Sequence, residues 1–211
     1  MTPYYQDSAV TIYHGDCREI VPTLGRFDLL LTDPPYGIED LMQPGGNWWG
    51  KDRNSSRSRK EIMVWDSCVE GNRVTRFLDV ADLCVVWGGN YHALPPSRGW
   101  LVWYKPDAPK TMAQCELAWT SANRNTVLIS HSIAATNAER VGHPTQKPLT
   151  VMLWSIQQIA PDAQTILDPF AGSGTTGRAA KDLGRKAVLI EREEKYCEIA
   201  ARRMGQEVLA L

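Results

Sequence analysis

The sequence lacks the features that mark a membrane or exported protein. It has no apolar run of about 18 residues, the length that a membrane-spanning helix needs. Its opening residues, MTPYYQDSAV, lack the basic start and apolar core of a secretory signal. We therefore expect a cytoplasmic protein with no membrane partner.

Paired cysteines and metal-binding patterns are also missing. The cysteines are scattered, odd in number and form no C-x-x-C pair: Cys17, Cys68, Cys84, Cys115 and Cys197. Reduced thiols are expected, and neither a structural zinc nor another metal ion is predicted.

A large excess of charge of one sign is absent too. The formal net charge is −1, and the 211 residues are 43% hydrophobic and 22% charged, as in a globular protein with a sizeable core. The charge is uneven, because residues 51–60, KDRNSSRSRK, carry five basic side chains and one acid. Such a patch can contact a polyanion, although a solvated, mobile loop has the same composition.

Short aliphatic segments alternate with helical ones along the chain. Strands are predicted at 8–16, 27–33, 82–89, 99–105, 115–121, 125–130, 164–168 and 186–191, and helices at 70–81, 148–160, 177–183 and 193–204. The order after residue 164 is that of a βαβ unit, which predicts a right-handed crossover and a parallel sheet. We interpret 1–211 as one α/β domain in which 41–64 form a mobile loop.

A glycine-rich turn, DPFAGSGTT at 168–176, separates a strand from a helix. It lacks both the Lys-Ser/Thr of a phosphate-binding P-loop and the G-x-G-x-x-G spacing. Gly172 and Gly174 would let the backbone approach a ligand, and Glu191 ends the next strand where an acid accepts ribose hydroxyls. The turn favours a nucleoside cofactor, although a tight turn required for packing would have the same pattern.

The position of this turn late in the chain predicts a permuted sheet. Two strand–helix pairs are left from residue 164 onward, so the other strands must come from the N-terminal part. Asp16, Asp33, Asp168 and Glu191 would then lie at the carboxyl ends of parallel strands, the edge where open α/β sheets bind ligands.

The stretch LLLTDPPYGI, residues 29–38, ends a buried strand on an acid followed by two prolines. Pro34 and Pro35 have fixed torsions and offer carbonyls without N–H donors. Asp33, the Pro34 carbonyl and the Tyr36 ring therefore form a rim that suits a planar ligand with an exocyclic amino group. A turn with a helix-capping acid and a packed tyrosine fits the same residues.

DPPY followed downstream by DPFAGSGTT resembles the DNA amino-methyltransferases that methylate adenine N6 or cytosine N4, and this motif order resembles their β-type. HGDC at 14–17, CELAWTS at 115–121 and HPTQKP at 143–148 fit the same resemblance. The run PPSRGWLVW, CELAWTS and HPTQKP resembles that of small phage or prophage enzymes of this kind. The resemblance implies a Rossmann-like S-adenosylmethionine-dependent methyltransferase fold with permuted strand order, a mostly parallel sheet and helices on both faces. It also implies a bacterial or phage-encoded protein that serves restriction-modification.

The resemblance assigns roles to positions of this chain. The catalytic residues would be Asp33, Pro34, Pro35 and Tyr36. S-adenosyl-L-methionine would be bound by Asp16 and Cys17 at the adenine, by Glu191 at the ribose, and by His143, Thr145 and Lys147 at the amino-acid tail. Around its methionine and ribose would lie Asp168, Phe170, Ala171, Gly172, Gly174 and Thr175.

Double-stranded DNA is the implied partner, with the target nucleotide flipped into the pocket. The stretch GNWWGKDRNSSRSRK, residues 46–60, directly follows the catalytic motif, so we expect it to act as a mobile flap that contacts DNA. Its contact residues would be Trp48, Trp49, Lys51, Arg53, Arg57, Arg59 and Lys60. The recognition region of such enzymes would fall at about 105–142, which is short and partly occupied by two strands. A short recognition site, low specificity or a homodimer rather than a monomer are each compatible with it.

Aspartate at the first position of DPPY usually accompanies adenine in this family, so adenine N6 is the predicted target. Cytosine N4 is the alternative within the class. Methylation of RNA or of a protein glutamine amide remains open, although the glutamine enzymes usually carry asparagine in place of Asp33. A non-catalytic DNA-binding relative is also open, although such a protein would be expected to lose the acid or the glycines.

Overall fold

A single mixed sheet connects all the strands that the structure describes. The structure is a computed structural model that describes residues 1–36, 74–141 and 146–206. Its strands are β1 (Tyr5–Gln6), β2 (Val10–His14), β3 (Phe27–Thr32), β4 (Ala81–Trp87), β5 (Trp100–Tyr104), β6 (Cys115–Thr120), β7 (Val127–Ser130), β8 (Thr165–Asp168) and β9 (Lys186–Glu191). Their order across the sheet is β1-β2-β9-β8-β3-β4-β6-β5-β7.

The strand directions confirm the permuted, mostly parallel arrangement. β2, β9, β8, β3 and β4 are parallel neighbours, so the C-terminal strands β8 and β9 lie between two N-terminal ones. β6 is antiparallel to β4 and β5, and β1 is antiparallel to β2. The antiparallel β6 lets a side chain from beyond the parallel strands approach the same site.

The helices are α1 (Cys17–Ile20), α2 (Ile133–Ala138), α3 (Leu149–Ile159), α4 (Thr175–Asp182) and α5 (Glu194–Met204). The first residue of α3 follows Pro148, and Gly184, just beyond α4, has a φ of +69°. Over its described part, the helix predicted at 70–81 is a 3-10 helix, Val74–Val80. Three β-branched residues among seven lower its α-helical propensity.

Two apolar cores lie on opposite faces of the sheet. Leu29 and Leu31 of β3 join the core that includes residues of α3, α4 and α5, whereas Leu30 joins the core that includes Ile20 of α1 and Phe77 of the 3-10 helix. All three leucines are fully buried, which explains why β3 is apolar without alternation over residues 29–31.

The four acids lie at the carboxyl edge of the parallel strands, as predicted. Asp168 and Glu191 are the last residues of β8 and β9, and Asp33 directly follows β3. Asp16 lies two residues beyond β2 and is the N-cap of α1. Among the helices that the structure describes, none is long and apolar enough to cross a membrane.

Candidate active site

The Asp33 carboxylate accepts hydrogen bonds from two polar side chains. The Lys147 ammonium lies 2.8 Å from each of its oxygens, and the Tyr36 hydroxyl donates to Oδ1 at 2.8 Å. Lys147 also donates to the Tyr36 hydroxyl at 2.8 Å. Pro34 and Pro35 connect Asp33 to Tyr36 and fix the short loop in which these contacts form.

A second ion pair lies behind the first. The Lys147 ammonium is 2.9 Å from Oε2 of Glu116, and Oε1 of Glu116 accepts from the ammonium of Lys105. Burial alone lowers the pKa of Lys147, but the charges of Asp33 and Glu116 outweigh burial and hold it well above its ordinary value. Lys147 therefore stays protonated.

Asp33 keeps some capacity to accept another hydrogen bond. A carboxylate offers about four lone-pair positions. Among the described residues, Lys147 and Tyr36 take two on Oδ1 and Lys147 takes one on Oδ2, which leaves one position on Oδ2. Burial raises the pKa of Asp33 even though Lys147 opposes this, so the carboxylate is a stronger proton acceptor than an exposed aspartate.

The Tyr36 ring packs against a second tyrosine and against a glycine. Tyr91 stacks on it with a centroid distance of 4.9 Å and an interplanar angle of 21°. Gly88 has a φ of +66°, and a Cβ at this position would lie 2.0 Å from a Tyr36 ring carbon. The glycine after β4 is therefore needed for this close approach, and the half-exposed Tyr91 lies beside the residue expected to stack on the target base.

The glycine-rich turn is held by Asp168. Its carboxylate accepts from the Thr32 hydroxyl at 2.7 Å, the Thr176 hydroxyl at 2.5 Å and the Phe170 N–H at 3.0 Å. Burial raises the pKa of Asp168 to about 6, although these donors oppose the rise. Thr32 is the last residue of β3, so this hydrogen bond also links the glycine-rich turn to the DPPY loop.

Glu191 ties the same turn to the end of β9. Its carboxylate accepts the Gly172 N–H and the Glu193 N–H, each at 2.8 Å, and burial raises its pKa. Gly174 has a φ of +76°, and a Cβ there would lie 2.8 Å from Cβ of Ala200. The turn thus presents its backbone beside two buried carboxylates.

Asp16 lies farther along the same edge and contacts a cation. It caps α1 through the Arg18 N–H at 2.9 Å and forms an ion pair with the Arg18 side chain, which lowers its pKa to about 2. Cys17, the first residue of α1, is half-buried. Their predicted contact with the cofactor's adenine stays a prediction.

One cleft joins the DPPY loop to the glycine-rich turn. Its lining residues come from both motifs, from the segment before α3 and from α3 itself: Asp33, Gln146, Lys147, Met152, Asp168, Phe170, Ala171, Gly172, Ser173, Thr175 and Thr176. Buried carboxylates beside a glycine turn fit a cofactor that carries hydroxyl and amino groups, because they retain acceptor positions. The residues present therefore fit a nucleoside cofactor bound next to Asp33.

The remaining predicted residues have a mixed outcome. His143 and Thr145 lie outside the described residues, as does the whole predicted flap: Trp48, Trp49, Lys51, Arg53, Arg57, Arg59 and Lys60. Lys147 lines the cleft, and its ammonium contacts Asp33, Tyr36 and Glu116; its contact with the amino-acid tail of the cofactor stays a prediction.

Several site residues were not identified from the sequence. Thr32 and Thr176 lie within the two quoted motifs but were given no role, and Tyr91 carries no distinctive local pattern. The sequence does mark Glu116 and Lys105 as unusual, because each is a charged residue next to an apolar strand segment: Glu116 precedes LAWT and Lys105 follows WLVWY. Their contact depends on the pairing of β5 with β6, which one sequence does not show.

A permuted Rossmann-like sheet with a DPPY loop and a glycine-rich turn at one edge defines a methyltransferase fold. The sequence profile of the N6_N4_Mtase family, described as DNA methylase, matches residues 86–202, more than half of the chain. The chain therefore belongs to this DNA methylase family, whose members use S-adenosyl-L-methionine as the methyl donor.

Curated relatives include restriction-associated enzymes. The chain is 26% identical to the type II methyltransferase M.ScaI of Streptomyces caespitosus, over 99% of this chain and 86% of that protein. It is 45% identical to the type II methyltransferase M.HinfI of Haemophilus influenzae over 64 residues, which are 30% of this chain and 18% of that protein.

Solved structures of similar fold include the complex of M1.HpyAVI with SAM and the cytosine-N4-specific PvuII DNA methyltransferase. The first has a TM-score of 0.60 at 22% identity and covers 93% of this chain and 100% of its own. The second has a TM-score of 0.62 at 17% identity and covers 99% of this chain and 90% of its own.

Proposed function

We propose that this chain is one catalytic domain that transfers a methyl group from S-adenosyl-L-methionine to adenine N6 in double-stranded DNA, with the target base flipped out of the helix. The observation that carries the proposal is the cleft that joins Asp33 to the glycine-rich turn. A base amine at Asp33 and a cofactor at Gly172 would share this one cleft.

The cofactor would be held along the edge of the sheet. When bound, S-adenosylmethionine supplies an electrophilic methyl group on a positively charged sulfur. Asp168 and Glu191 would accept hydrogen bonds from it, and Ala171 and Gly172 would present backbone against it. Asp16 would accept from its adenine amino group.

Asp33 would both orient and deprotonate the base amine. One amine N–H would point at the remaining acceptor position on Asp33 Oδ2 and the other at the Pro34 carbonyl. With both hydrogens held in this way, the nitrogen lone pair would leave conjugation with the ring and become available to the methyl group that the bound cofactor supplies. The proton lost by the nitrogen passes to Asp33, whose raised pKa suits it to this task.

The choice of adenine rests on the aspartate of DPPY, since the local chemistry of adenine N6 and cytosine N4 is the same. Cytosine N4 is the second candidate, because the cytosine-N4-specific PvuII enzyme shares the fold over nearly the whole chain. Tyr36 stacks on either base and does not discriminate between them.

The test is methylation of DNA by the purified protein with a cofactor labelled at its methyl carbon. Nucleosides from the digested DNA are separated and identified by mass spectrometry. We expect the label in N6-methyladenine and none in N4-methylcytosine. Label in methylcytosine alone would show that the target base is cytosine and not adenine. No label in either base would refute DNA methylation.

DNA affinity is proposed to depend on the basic segment at 51–60, on the evidence of its composition and its place after DPPY. Changing Arg53, Arg57 and Arg59 to serine should weaken binding to all DNA sequences. It should also flatten the salt dependence by up to about three charge units. An unchanged salt dependence of binding would show that this segment makes no DNA contacts and is only a solvated loop.

A further inference from the structure

Four charged side chains of alternating sign form a buried row behind the DPPY loop. Asp33 contacts Lys147, Lys147 contacts Glu116, and Glu116 contacts Lys105. They come from the end of β3, the segment before α3, and strands β6 and β5. The tertiary fold therefore assembles the row, because no two of its members are sequence neighbours.

The row contains more charges than one ion pair needs. The side chains of Lys147 and Lys105 are 7% and 8% exposed, and those of Asp33 and Glu116 are 18% and 24% exposed. An ammonium that is buried without a partner is strongly unfavourable. Lys147 has two carboxylate partners, so it can lose one of them and remain paired.

We propose that Glu116, held in place by Lys105, is a positioning residue that shares the Lys147 ammonium with Asp33 and so lets the Asp33 carboxylate accept the amino group of the target base. This inference rests on the proposed function, because it assigns Asp33 to the base amine. Glu116 itself does not touch the substrate.

The sharing matters most at the step in which the base amine loses its proton. When Asp33 takes up that proton, its attraction for Lys147 disappears. Glu116, 2.9 Å from the ammonium, then remains as the partner of Lys147. Without Glu116 the protonation of Asp33 would leave a buried ammonium unpaired, so Asp33 would resist protonation.

The charged and titratable groups around Asp33 act in known directions. Its pKa is raised by burial and by the charge of Glu116, and lowered by Lys147 and by the Tyr36 hydroxyl. Asp168 lies across the edge of the sheet and is electrostatically coupled to Asp33. Glu116 is partly buried, which raises its pKa, but Lys147 and Lys105 outweigh this burial and hold its pKa below the ordinary value, so it stays ionised.

Two neutralising substitutions should move the ionisation of Asp33 in opposite directions. Glu116→Gln leaves Lys147 to Asp33 alone, so the pKa of Asp33 should fall. Lys105→Met removes one of the two ammonium groups that pair with Glu116, so Lys147 is the one that remains. Lys147 should then be drawn towards Glu116 and away from Asp33, and the pKa of Asp33 should rise. A merely structural role for the pair predicts no such opposition.

The experiment has two readouts. In the DNA-free protein, carbon-13 NMR follows the titration of the Asp33 carboxyl, whose signal is identified by its loss in Asp33→Asn. In the active enzyme, the acid limb of kcat against pH is measured at saturating DNA and cofactor. We expect both readouts to shift to lower pH in Glu116→Gln and to higher pH in Lys105→Met. At the optimum, kcat of Glu116→Gln should fall on the order of 10²-fold, as for a misplaced catalytic group.

Asp82→Asn is the matched control, because Asp82 pairs with Arg26 on the surface with both side chains 67% exposed. It should leave both readouts unchanged. If Glu116→Gln fails to fold by circular dichroism, the double variant Glu116→Gln/Lys105→Met removes the pair together and should shift both readouts to lower pH. Shifts in the same direction for the two single variants, or no shift, would overturn the proposal. A wild-type protein that methylates no DNA would refute the proposed function, while the NMR titration would still test the sharing.

Discussion

Two groups of buried acids lie at the same edge of the sheet and are stabilised differently. Asp33 and Glu116 share the Lys147 ammonium, so their negative charges are balanced by a cation. Asp168 and Glu191 accept hydrogen bonds from hydroxyl and backbone N–H donors, all of them neutral. The first group borders the place proposed for the base, and the second the place proposed for the cofactor.

The difference fits what each group is proposed to bind. Neutral donors leave the burial of Asp168 largely uncompensated, which raises its pKa to about 6. A cation beside these acids would occupy the acceptor positions that cofactor hydroxyl and amino groups need. At Asp33 the adjacent cation would balance a charge that changes when the carboxylate takes up the proton of the base amine, as proposed. The two groups should therefore respond differently to substitution and to pH.

The largest expected effect is on methyl transfer and is confined to the cation-balanced group. Asp33→Ala removes the acceptor for the base amine and should lower kcat on the order of 10³-fold. Cofactor affinity should change little, because Asp168 and Glu191 are untouched. Transfer assays paired with calorimetry check both statements, and near-normal turnover would show that Asp33 does not hold the amine.

Removing the shared cation should destabilise the fold. Lys147→Met leaves Asp33 and Glu116 as neighbouring buried carboxylates with a single ammonium, that of Lys105, on Glu116. The free energy of unfolding at pH 7 should fall by about 3–5 kcal/mol, as for other broken buried ion pairs. Urea denaturation measures this, with Lys186→Met at an exposed position of β9 as the control. Equal stability of the two variants would mean that the row of charges is not effectively buried.

The acids without a cation should make stability depend on pH. The pKa of Asp168 is about 6 in the folded protein and 3.8 as its ordinary value, so the folded chain binds this proton more tightly than the unfolded chain. The contribution of Asp168 to stability should therefore decline as pH rises from about 4 to about 6, by at most about 3 kcal/mol.

Asp168→Asn removes that ionisation and keeps a side chain of the same shape. Relative to wild type, the variant should gain stability between pH 4.5 and pH 7 in urea denaturation. If the difference in the free energy of unfolding between the two proteins is constant over this range, burial does not raise the pKa of Asp168.

The smallest expected effect concerns cofactor affinity. Glu191→Ala removes an acceptor of the proposed ribose contact and should weaken S-adenosylmethionine binding by about 1–3 kcal/mol. At saturating cofactor, kcat should stay near that of wild type, the reverse of the result for Asp33→Ala. Because Glu191 also anchors the Gly172 N–H, thermal unfolding is measured alongside calorimetry. Unchanged binding would remove Glu191 from the cofactor site.

Much of the fold could be predicted because its strands and helices are encoded locally. The predicted strands overlap β2 to β9, and the edge placement of Asp33, Asp168 and Glu191 followed from where their strands end. The short β1 was missed because two residues carry no periodic pattern. The helix predicted at 70–81 became a 3-10 helix over its described residues, because helical spacing of apolar residues does not fix the hydrogen-bond period.

The sequence by itself determined the motifs, their order and therefore the family, since DPPY and the glycine-rich turn owe their properties to covalent geometry: prolines with fixed torsions and glycines that tolerate positive φ. The tertiary structure alone decided which charges meet. Lys147 is 114 residues from Asp33, and its contact with Glu116 requires the antiparallel β6 beside β4. Interactions between such distant residues depend on strand order and register. Whether a buried acid is balanced by a cation or by neutral donors is thus a property of the folded sheet.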